Sequence, residues 1–202
     1  DDVIDMGCWT HIERFSAAGE YWSIGSCSED GNQFDVCADG KVVAQVNWTM
    51  HGAHNRLNAL AAIAAARHAG VPVEQACEAL GKFKGIKRRL ELLGEIGGIT
   101  VYDDFAHHPT AIIETLSAVK EVSGDGRILA VLEPRSNTMR MGVYKKRLLD
   151  SLQQADNIYL FQPDNIDWNL ADLARHSSVT AEVYDDVAEI IKHVARQAQL
   201  GD

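Results

Sequence analysis

The chain has 202 residues, of which 46% are hydrophobic and 24% are charged. This length and composition are typical of a globular protein with one large or two small domains, and they exclude the disordered and fibrous classes. The formal net charge of -10 at pH 7 argues against non-specific binding to nucleic acid or to an anionic membrane, because neutralising phosphate groups requires a basic surface.

The cysteines and the apolar runs favour a cytoplasmic protein. The four cysteines are widely spaced and form no Cys-x-x-Cys pair, namely Cys8, Cys27, Cys37 and Cys77. This spacing is typical of reduced thiols rather than of a disulfide framework or a zinc site. The most apolar run, residues 57–66, contains Asn58 and is far too short to span a bilayer. The sequence starts at Asp1 with neither an initiator Met nor a signal peptide, which indicates a fragment of a longer polypeptide.

Residues 1–51 are predicted to form an antiparallel meander. Apolar and polar residues alternate over three short stretches, which are residues 21–25, 33–37 and 41–46. Asp-Gly pairs at 30–31 and 39–40 separate these stretches, and Asp-Gly is a favourable hairpin dipeptide. We therefore expect three strands joined by tight turns.

The spacing of apolar residues then changes to that of helices. Between His54 and His68 the apolar residues recur along one helical face, and Gly70 ends this helix. Pro72 opens a second predicted helix that runs to Phe83. The stretch 82–89 is strongly basic, which is typical either of a solvated linker or of a segment that binds a polyanion.

The remainder of the chain is predicted to be an α/β domain. Residues 90–94 and 99–103 alternate around Gly97-Gly98 and predict a hairpin. Helices and strands then alternate, with predicted helices over 111–122, 144–155, 167–175 and 186–198 and predicted strands over 127–133, 157–161 and 179–183. This alternation predicts a mostly parallel, Rossmann-like sheet with helices on both faces.

Polar clusters follow these strands, at the edge where ligands gather in parallel α/β sheets. The clusters are residues 103–108, 133–140 and 162–165. Pro109 fits the first turn of a helix, so His107 and His108 should stand at a helix N-terminus. Free N–H groups there favour an anion such as phosphate, while Asp103 and Asp104 could hold hydroxyls or a metal. The alternative is a hairpin-to-helix corner whose polar side chains are merely solvated.

Further residue pairs indicate ligand binding. Arg135 and Arg140 follow a predicted buried strand, and their guanidinium groups suit carboxylates or phosphates, which predicts an acidic substrate. Surface arginines that offset an acidic protein are the alternative. Asn55 and Asn58 share a helix face and could read a purine edge, although helix capping alone would explain Asn55. No Gly-x-x-x-x-Gly-Lys-Ser/Thr loop occurs, so a self-contained nucleotide hydrolase is not expected.

Taken in order, several motifs resemble the second half of a Mur ligase. They are Gly-Ala-His-Asn-Arg-Leu-Asn at 52–58, Gly-Ile-Lys-Arg-Arg-Leu-Glu at 85–91 and Asp-Asp-Phe-Ala-His-His-Pro-Thr at 103–110. The resemblance implies an ATP-dependent, amide-forming enzyme of peptidoglycan synthesis with three domains. Residues 1–85 would end its central ATP-binding domain, and residues 86–202 would form its C-terminal Rossmann-like domain. The UDP-sugar domain, the phosphate loop and the ligands of Mg2+ would precede residue 1, so this fragment alone should be inactive.

The resemblance also assigns nucleotide contacts. Asn55 and Asn58 would contact the adenine of ATP, with His54 beside them in the same motif. Arg89 would contact the ribose and the phosphates, and Asp104 would bind a ribose hydroxyl. No residue of this chain is expected to hold the metal.

The remaining implied roles concern the reaction and the second substrate. His107 and His108 would be the catalytic residues, facing the γ-phosphate and the incoming amine. Arg135, Asn137 and Arg140 would bind the substrate, the arginines holding the carboxylates of the peptide.

Within the family, residues 133–142 are similar to the branch that works in peptidoglycan recycling. That branch joins the tripeptide L-alanyl-γ-D-glutamyl-meso-diaminopimelate to UDP-N-acetylmuramate. ATP would convert the muramoyl carboxylate into an acyl phosphate, which the peptide amine attacks. The partners would be these substrates and the rest of the polypeptide, with no nucleic acid and no membrane insertion. The alternatives are a ligase that attaches L-alanine, or a non-catalytic Rossmann-like module that binds an acidic peptide or a nucleotide.

Overall fold

The computed structural model describes residues 2–202. By its internal contacts the chain divides into two compact units. The first unit comprises the chain up to Met50 together with His54–Phe83, and the second comprises His51–Ala53 and Lys84–Asp202. The assignment of residues 1–85 to the central domain of a ligase and of 86–202 to its C-terminal domain stays a prediction.

The first unit contains a three-stranded antiparallel sheet in the order β1-β2-β3. Its helices and strands are α1 (Asp2–Asp5), β1 (Trp22–Cys27), β2 (Gln33–Ala38), β3 (Lys41–Asn47), α2 (Ala53–His68) and α3 (Val73–Gly81). Ala38 pairs with Lys41, and the two residues between them, Asp39 and Gly40, have φ values of 50° and 71°. Positive φ at both central residues matches the twist of a two-residue hairpin turn, and the predicted meander is confirmed.

The core of the first unit lies between the sheet and its helices. Trp22, Phe34 and Val36 are buried on the sheet, and Leu60 and Ile63 of α2 pack into the same cluster. Leu60 belongs to the apolar face on which the helix prediction rests, and Ile63 lies one turn further along α2. The end of α3 also packs closely on β3, since a Cβ at Gly81 would lie 2.8 Å from the Asn47 carbonyl oxygen.

The second unit begins with the predicted hairpin, formed by β4 (Glu91–Ile96) and β5 (Ile99–Asp103). Its turn residues, Gly97 and Gly98, have φ values of 62° and 75°. Glycine adopts these values without steric cost, which is why the Gly-Gly pair marks the turn. The hairpin ends at Asp103, where the first polar cluster begins.

A parallel sheet in the order β6-β7-β8 follows the hairpin. The remaining helices and strands are α4 (Pro109–Ser123), β6 (Leu129–Leu132), α5 (Asn137–Arg140), α6 (Lys145–Ser151), β7 (Asn157–Phe161), α7 (Leu170–Ala174), β8 (Thr180–Tyr184) and α8 (Val187–Gln197). Each of these parallel strands is reached through a helical connection, as the alternating pattern predicts.

Helices cover both faces of the parallel sheet, which confirms the predicted fold class. On one face, Ile158 and Leu160 of β7 are buried against Leu116 of α4, Leu148 of α6 and Leu170 of α7. Successive strand residues point to opposite faces, so Tyr159 points to the other side. On that side, the Tyr184 ring lies 6.4 Å from the Tyr159 ring and 5.3 Å from the His193 ring of α8.

Some predicted boundaries are wrong. The helix predicted over 144–155 ends at Ser151, and the short helix α5 was not predicted, because four residues capped by Ser136 leave little periodicity. The strand predicted as buried over 127–133 is β6, which lies at the edge of the parallel sheet and leaves Val131 54% exposed. Asn55 does not cap α2, because the helix already begins at Ala53.

Candidate active site

The side chain of His108 caps the N-terminus of α4. The His108 Nδ1 accepts a hydrogen bond of 3.2 Å from the Thr110 backbone N–H, and the buried Pro109 occupies the first helical position. Because Nδ1 accepts, the neutral ring carries its proton on Nε2. The Tyr144 ring lies edge-on to the half-buried His108 ring, with 4.6 Å between the centroids. The His108 ring is therefore held with an N–H donor on its other nitrogen.

His107 has the opposite arrangement of donor and acceptor. Its Nδ1 lies 3.0 Å from the Phe105 carbonyl oxygen, which can only accept, so Nδ1 carries the proton. In the neutral ring Nε2 is then a free acceptor nitrogen. The His107 ring is exposed and lies 5.1 Å from the Phe105 ring. Adjacent imidazoles thus present one acceptor and one donor.

Asp104 ties the start of the hairpin to the turn before α4. Its Oδ2 accepts a hydrogen bond of 2.6 Å from the Leu90 N–H, and its Oδ1 accepts one of 2.7 Å from the Ala106 N–H. The Phe105 N–H also donates to the Arg88 carbonyl oxygen at 2.9 Å. A carboxylate oxygen can accept more than one hydrogen bond, so Asp104 retains acceptor capacity for a ligand hydroxyl.

The basic segment contacts the exposed ring of Phe105. The guanidinium carbons of Arg88 and Arg89 lie 5.2 Å and 5.9 Å from the centre of that ring. Arg88 also forms an ion pair with Asp103, with Nε 3.2 Å from Oδ2. Of the two arginines, the sequence singled out only Arg89. The one signal in the sequence that could have predicted these contacts is Phe105, an aromatic residue between Asp104 and His107 in the motif.

The loop after β6 lies beside the turn that carries His107 and His108. Ser136 caps α5 by accepting from the Met139 N–H, and its hydroxyl lies 3.5 Å from the His107 carbonyl oxygen. Arg135 is exposed on this loop, and Asn137 is exposed at the start of α5. Arg140 is half-buried, and its buried Nε has no hydrogen-bond partner within residues 2–202. A carboxylate that accepted from this Nε would satisfy it.

The loop after β7 completes the same edge of the sheet. The Gln162 side chain accepts from the Leu170 N–H at 2.7 Å and donates to the Trp168 carbonyl oxygen at 3.3 Å. The Trp168 indole N–H in turn donates to the Met139 carbonyl oxygen at 2.9 Å. The structure therefore brings the three polar clusters of the second unit to one edge. Sequence reasoning missed Trp168, which gives no periodic or motif signal.

The predicted adenine contacts lie in the first unit. Asn55 is half-buried and Asn58 is exposed, and both lie on the first turns of α2 together with His54. Their grouping with Arg89 and Asp104 around one nucleotide stays a prediction.

Cys77 is buried in the same unit, and this burial raises the pKa of its thiol to about 11.

The described residues contain neither a cluster of metal ligands nor a helix suited to a bilayer. Within residues 2–202 no group of three or more His, Cys, Asp or Glu side chains is arranged to hold a metal ion. In the same range no helix combines the length and apolar character needed to cross a bilayer.

Two known ligases resemble the chain over two thirds or more of its length. It is 48% identical over 198 residues to the UDP-N-acetylmuramate--L-alanyl-gamma-D-glutamyl-meso-2,6-diaminoheptandioate ligase of Escherichia coli (strain K12), a match that covers 98% of this chain and 43% of that protein. It is 40% identical to the UDP-N-acetylmuramate--L-alanine ligase of Caldicellulosiruptor bescii, over 66% of this chain and 29% of that protein.

A solved structure agrees with these relatives. The murein peptide ligase of Psychrobacter arcticus 273-4 superposes with a TM-score of 0.69 and 42% identity, covering 100% of this chain and 44% of that protein. The chain thus spans less than half the length of these relatives. The family described as "Mur ligase, glutamate ligase domain" matches residues 88–202, which is more than half of the chain. The chain therefore belongs to the Mur ligase family.

Proposed function

We propose that this chain is part of a cytoplasmic ligase that joins L-alanyl-γ-D-glutamyl-meso-diaminopimelate to UDP-N-acetylmuramate during peptidoglycan recycling. The observation that carries the proposal is the 48% identity over 98% of the chain to a relative named for that reaction. An L-alanine ligase that covers 86% of the chain is only 33% identical to it. The tripeptide therefore ranks above L-alanine as the amine substrate.

ATP, when bound, supplies the phosphoryl group that turns the muramoyl carboxylate into an acyl phosphate. The exposed guanidinium of Arg89 suits the ribose and phosphates, and the remaining acceptor capacity of Asp104 suits a ribose hydroxyl. Asn55 and Asn58 of the first unit supply amide groups for adenine. These side chains fit a nucleotide by their chemistry. By the resemblance to the family, the ligands of Mg2+ would lie outside this chain.

The histidines suit the transfer from the acyl phosphate to the amine. The acceptor Nε2 of His107 takes a proton from the attacking amine, and the Nε2–H of His108 donates to a phosphate oxygen as negative charge develops there. The half-buried Arg140 and the exposed Arg135 hold carboxylates of the peptide, with Asn137 beside them. The isolated chain lacks the rest of its relatives' length, and we expect it to be inactive alone.

The test is a ligation assay on the full-length protein with the tripeptide and with L-alanine. The tripeptide should give ADP release and a product of matching mass, and L-alanine should not. Preference for L-alanine would establish the alternative ligase, and no ligation of either amine would favour a non-catalytic module.

The nucleotide assignment has its own test. Replacing Arg89 by Ala should lower kcat/KM by about tenfold to a hundredfold, the cost of one hydrogen bond to a charged group. The exposed Lys87, changed to Ala, is a matched control from the same segment. Equal kinetics for both variants would remove Arg89 from the site.

A further inference from the structure

A groove of about 780 Å3 lies in the second unit between α6 and α7, and the roles proposed above leave it unassigned. Its volume falls within the range of small-molecule sites. Three consecutive segments line it, namely α6, the loop before α7, and α7 itself. The lining includes Lys145, Lys146 and Leu149 from the first, Asp167 and Trp168 from the second, and Asp172 from the third.

The groove carries both signs of charge. Lys145 and Lys146 are exposed on α6, and Asp167 is exposed on the loop before α7. Asp150 of α6 also lines the groove, and its Oδ1 accepts a hydrogen bond of 3.4 Å from Gln153. Asp172 already pairs with Arg175 at 3.2 Å, so Asp167 is the better anion for a ligand. A ligand with both a carboxylate and an ammonium group would satisfy both sides.

The indole of Trp168 provides a fixed apolar surface in the lining of the groove. Its N–H donates to the Met139 carbonyl oxygen at 2.9 Å, which fixes the ring, and the Lys145 Nζ lies 5.1 Å from the ring centre. Gly142 makes this packing possible, because a Cβ there would lie 2.3 Å from the Lys145 Cε. Met139 and Gly142 lie on either side of Arg140 in the sequence, so the groove adjoins α5, which carries Arg140.

We propose that this groove binds the distal amino acid of the peptide substrate through its free carboxylate and ammonium groups. The inference rests on the proposed function, since 2,6-diaminoheptanedioate ends in such a pair. Lys145 and Lys146 pair with the carboxylate, Asp167 pairs with the ammonium, and the methylene chain lies on Trp168. L-Alanine has no distal group, so the groove is what favours the tripeptide over L-alanine.

The first test compares two peptides on the full-length enzyme, the tripeptide and the dipeptide L-alanyl-D-glutamate. The double variant Lys145→Ala/Lys146→Ala should raise the KM for the tripeptide about tenfold, the value of one partly exposed charge-assisted contact, and should leave kcat close to that of the wild type. Its kcat/KM for the dipeptide should not change. Arg147→Ala removes an exposed cation from the same helix outside the groove lining and should change neither substrate.

The second test uses free meso-2,6-diaminoheptanedioate as a probe. It should inhibit the wild type competitively against the tripeptide, and Asp167→Asn should weaken this inhibition, whereas the exposed control Asp125→Asn should not. Equal losses with both peptides, or no inhibition by the probe, would overturn the groove assignment. If the wild type ligates the tripeptide and the groove variants behave like their controls, only this inference fails. If the wild type does not ligate the tripeptide, the proposed function fails and the inference fails with it.

Discussion

Replacing Asp104 by Ala should loosen the segment that carries Arg89. The Asp104 carboxylate accepts backbone hydrogen bonds of 2.6 Å from Leu90 and 2.7 Å from Ala106. A hydrogen bond to a charged group contributes about 1.5–3 kcal/mol, and we discount each of these bonds to about 1 kcal/mol because the residue is half-buried and water replaces part of the loss. Both bonds together should then stabilise the closed segment by about 2 kcal/mol, which corresponds to a factor of about 30 in its opening equilibrium.

Hydrogen exchange of the full-length protein measures this opening directly. Peptides that cover residues 86–106 should exchange about 30 times faster in Asp104→Ala than in the wild type. Asp103→Ala is the matched control, because its carboxylate forms an exposed pair with Arg88 and should contribute little. If Asp104→Ala loses ligase activity while exchange at 86–106 is unchanged, Asp104 acts on the nucleotide alone and its structural role is refuted.

Further predictions follow from single features. Gly142→Ala places a Cβ at a φ of 70° beside Lys145 and should cost about 1 kcal/mol or more, seen as a lower Tm, whereas an unchanged Tm would contradict that backbone conformation. A thiol reagent should modify the exposed Cys8 and Cys27 in the native protein, but the buried Cys37 and Cys77 only after unfolding. Burial blocks access to both buried thiols, and it raises the pKa of Cys77 to about 11, which leaves little reactive thiolate. Mass spectrometry of the native protein checks this, and modification at Cys77 would contradict it. The hydrogen bond from Arg127 holds the pKa of Asp202 below its usual 3.8, so this pair should stabilise the fold above pH 3.8 and lose that contribution as the pH falls through the lower folded value. Denaturant titrations of wild type and Asp202→Asn should converge in acid, and a constant difference at all pH values would refute the linkage.

The sequence predicted those parts of the fold in which a local signal and the tertiary structure agree. Asp39-Gly40 and Gly97-Gly98 mark turns because few residues tolerate positive φ, and the structure has both turns. Pro109 marks the start of α4 because its missing N–H costs nothing at the first helical position. The strand alternation after residue 127 gave the parallel sheet in the same way.

The remaining features depend on contacts between distant residues, which a sequence pattern does not contain. The exposure of Val131 follows from the place of β6 at the sheet edge, and the composition of the strand predicted burial instead. The backbone contacts of Asp104 and the hydrogen bond between Trp168 and Met139 join segments that are far apart or irregular. Site residues were found where they belong to a motif, and Trp168 and Lys145 were missed because they do not.

The backbone conformation of the turn around Arg89 lowers the stability of the fold but holds the Arg89 side chain in one direction. Its neighbours Arg88 and Leu90 have φ values of 60° and 49°, which cost a residue with a side chain about 1–2 kcal/mol each. Glycine at either position would relieve this strain and make the protein harder to unfold, yet the guanidinium between them would then point in many directions. Selection for higher thermal stability should therefore enrich glycine at position 88 or 90. The selected variants would unfold at a higher temperature but turn over substrate more slowly.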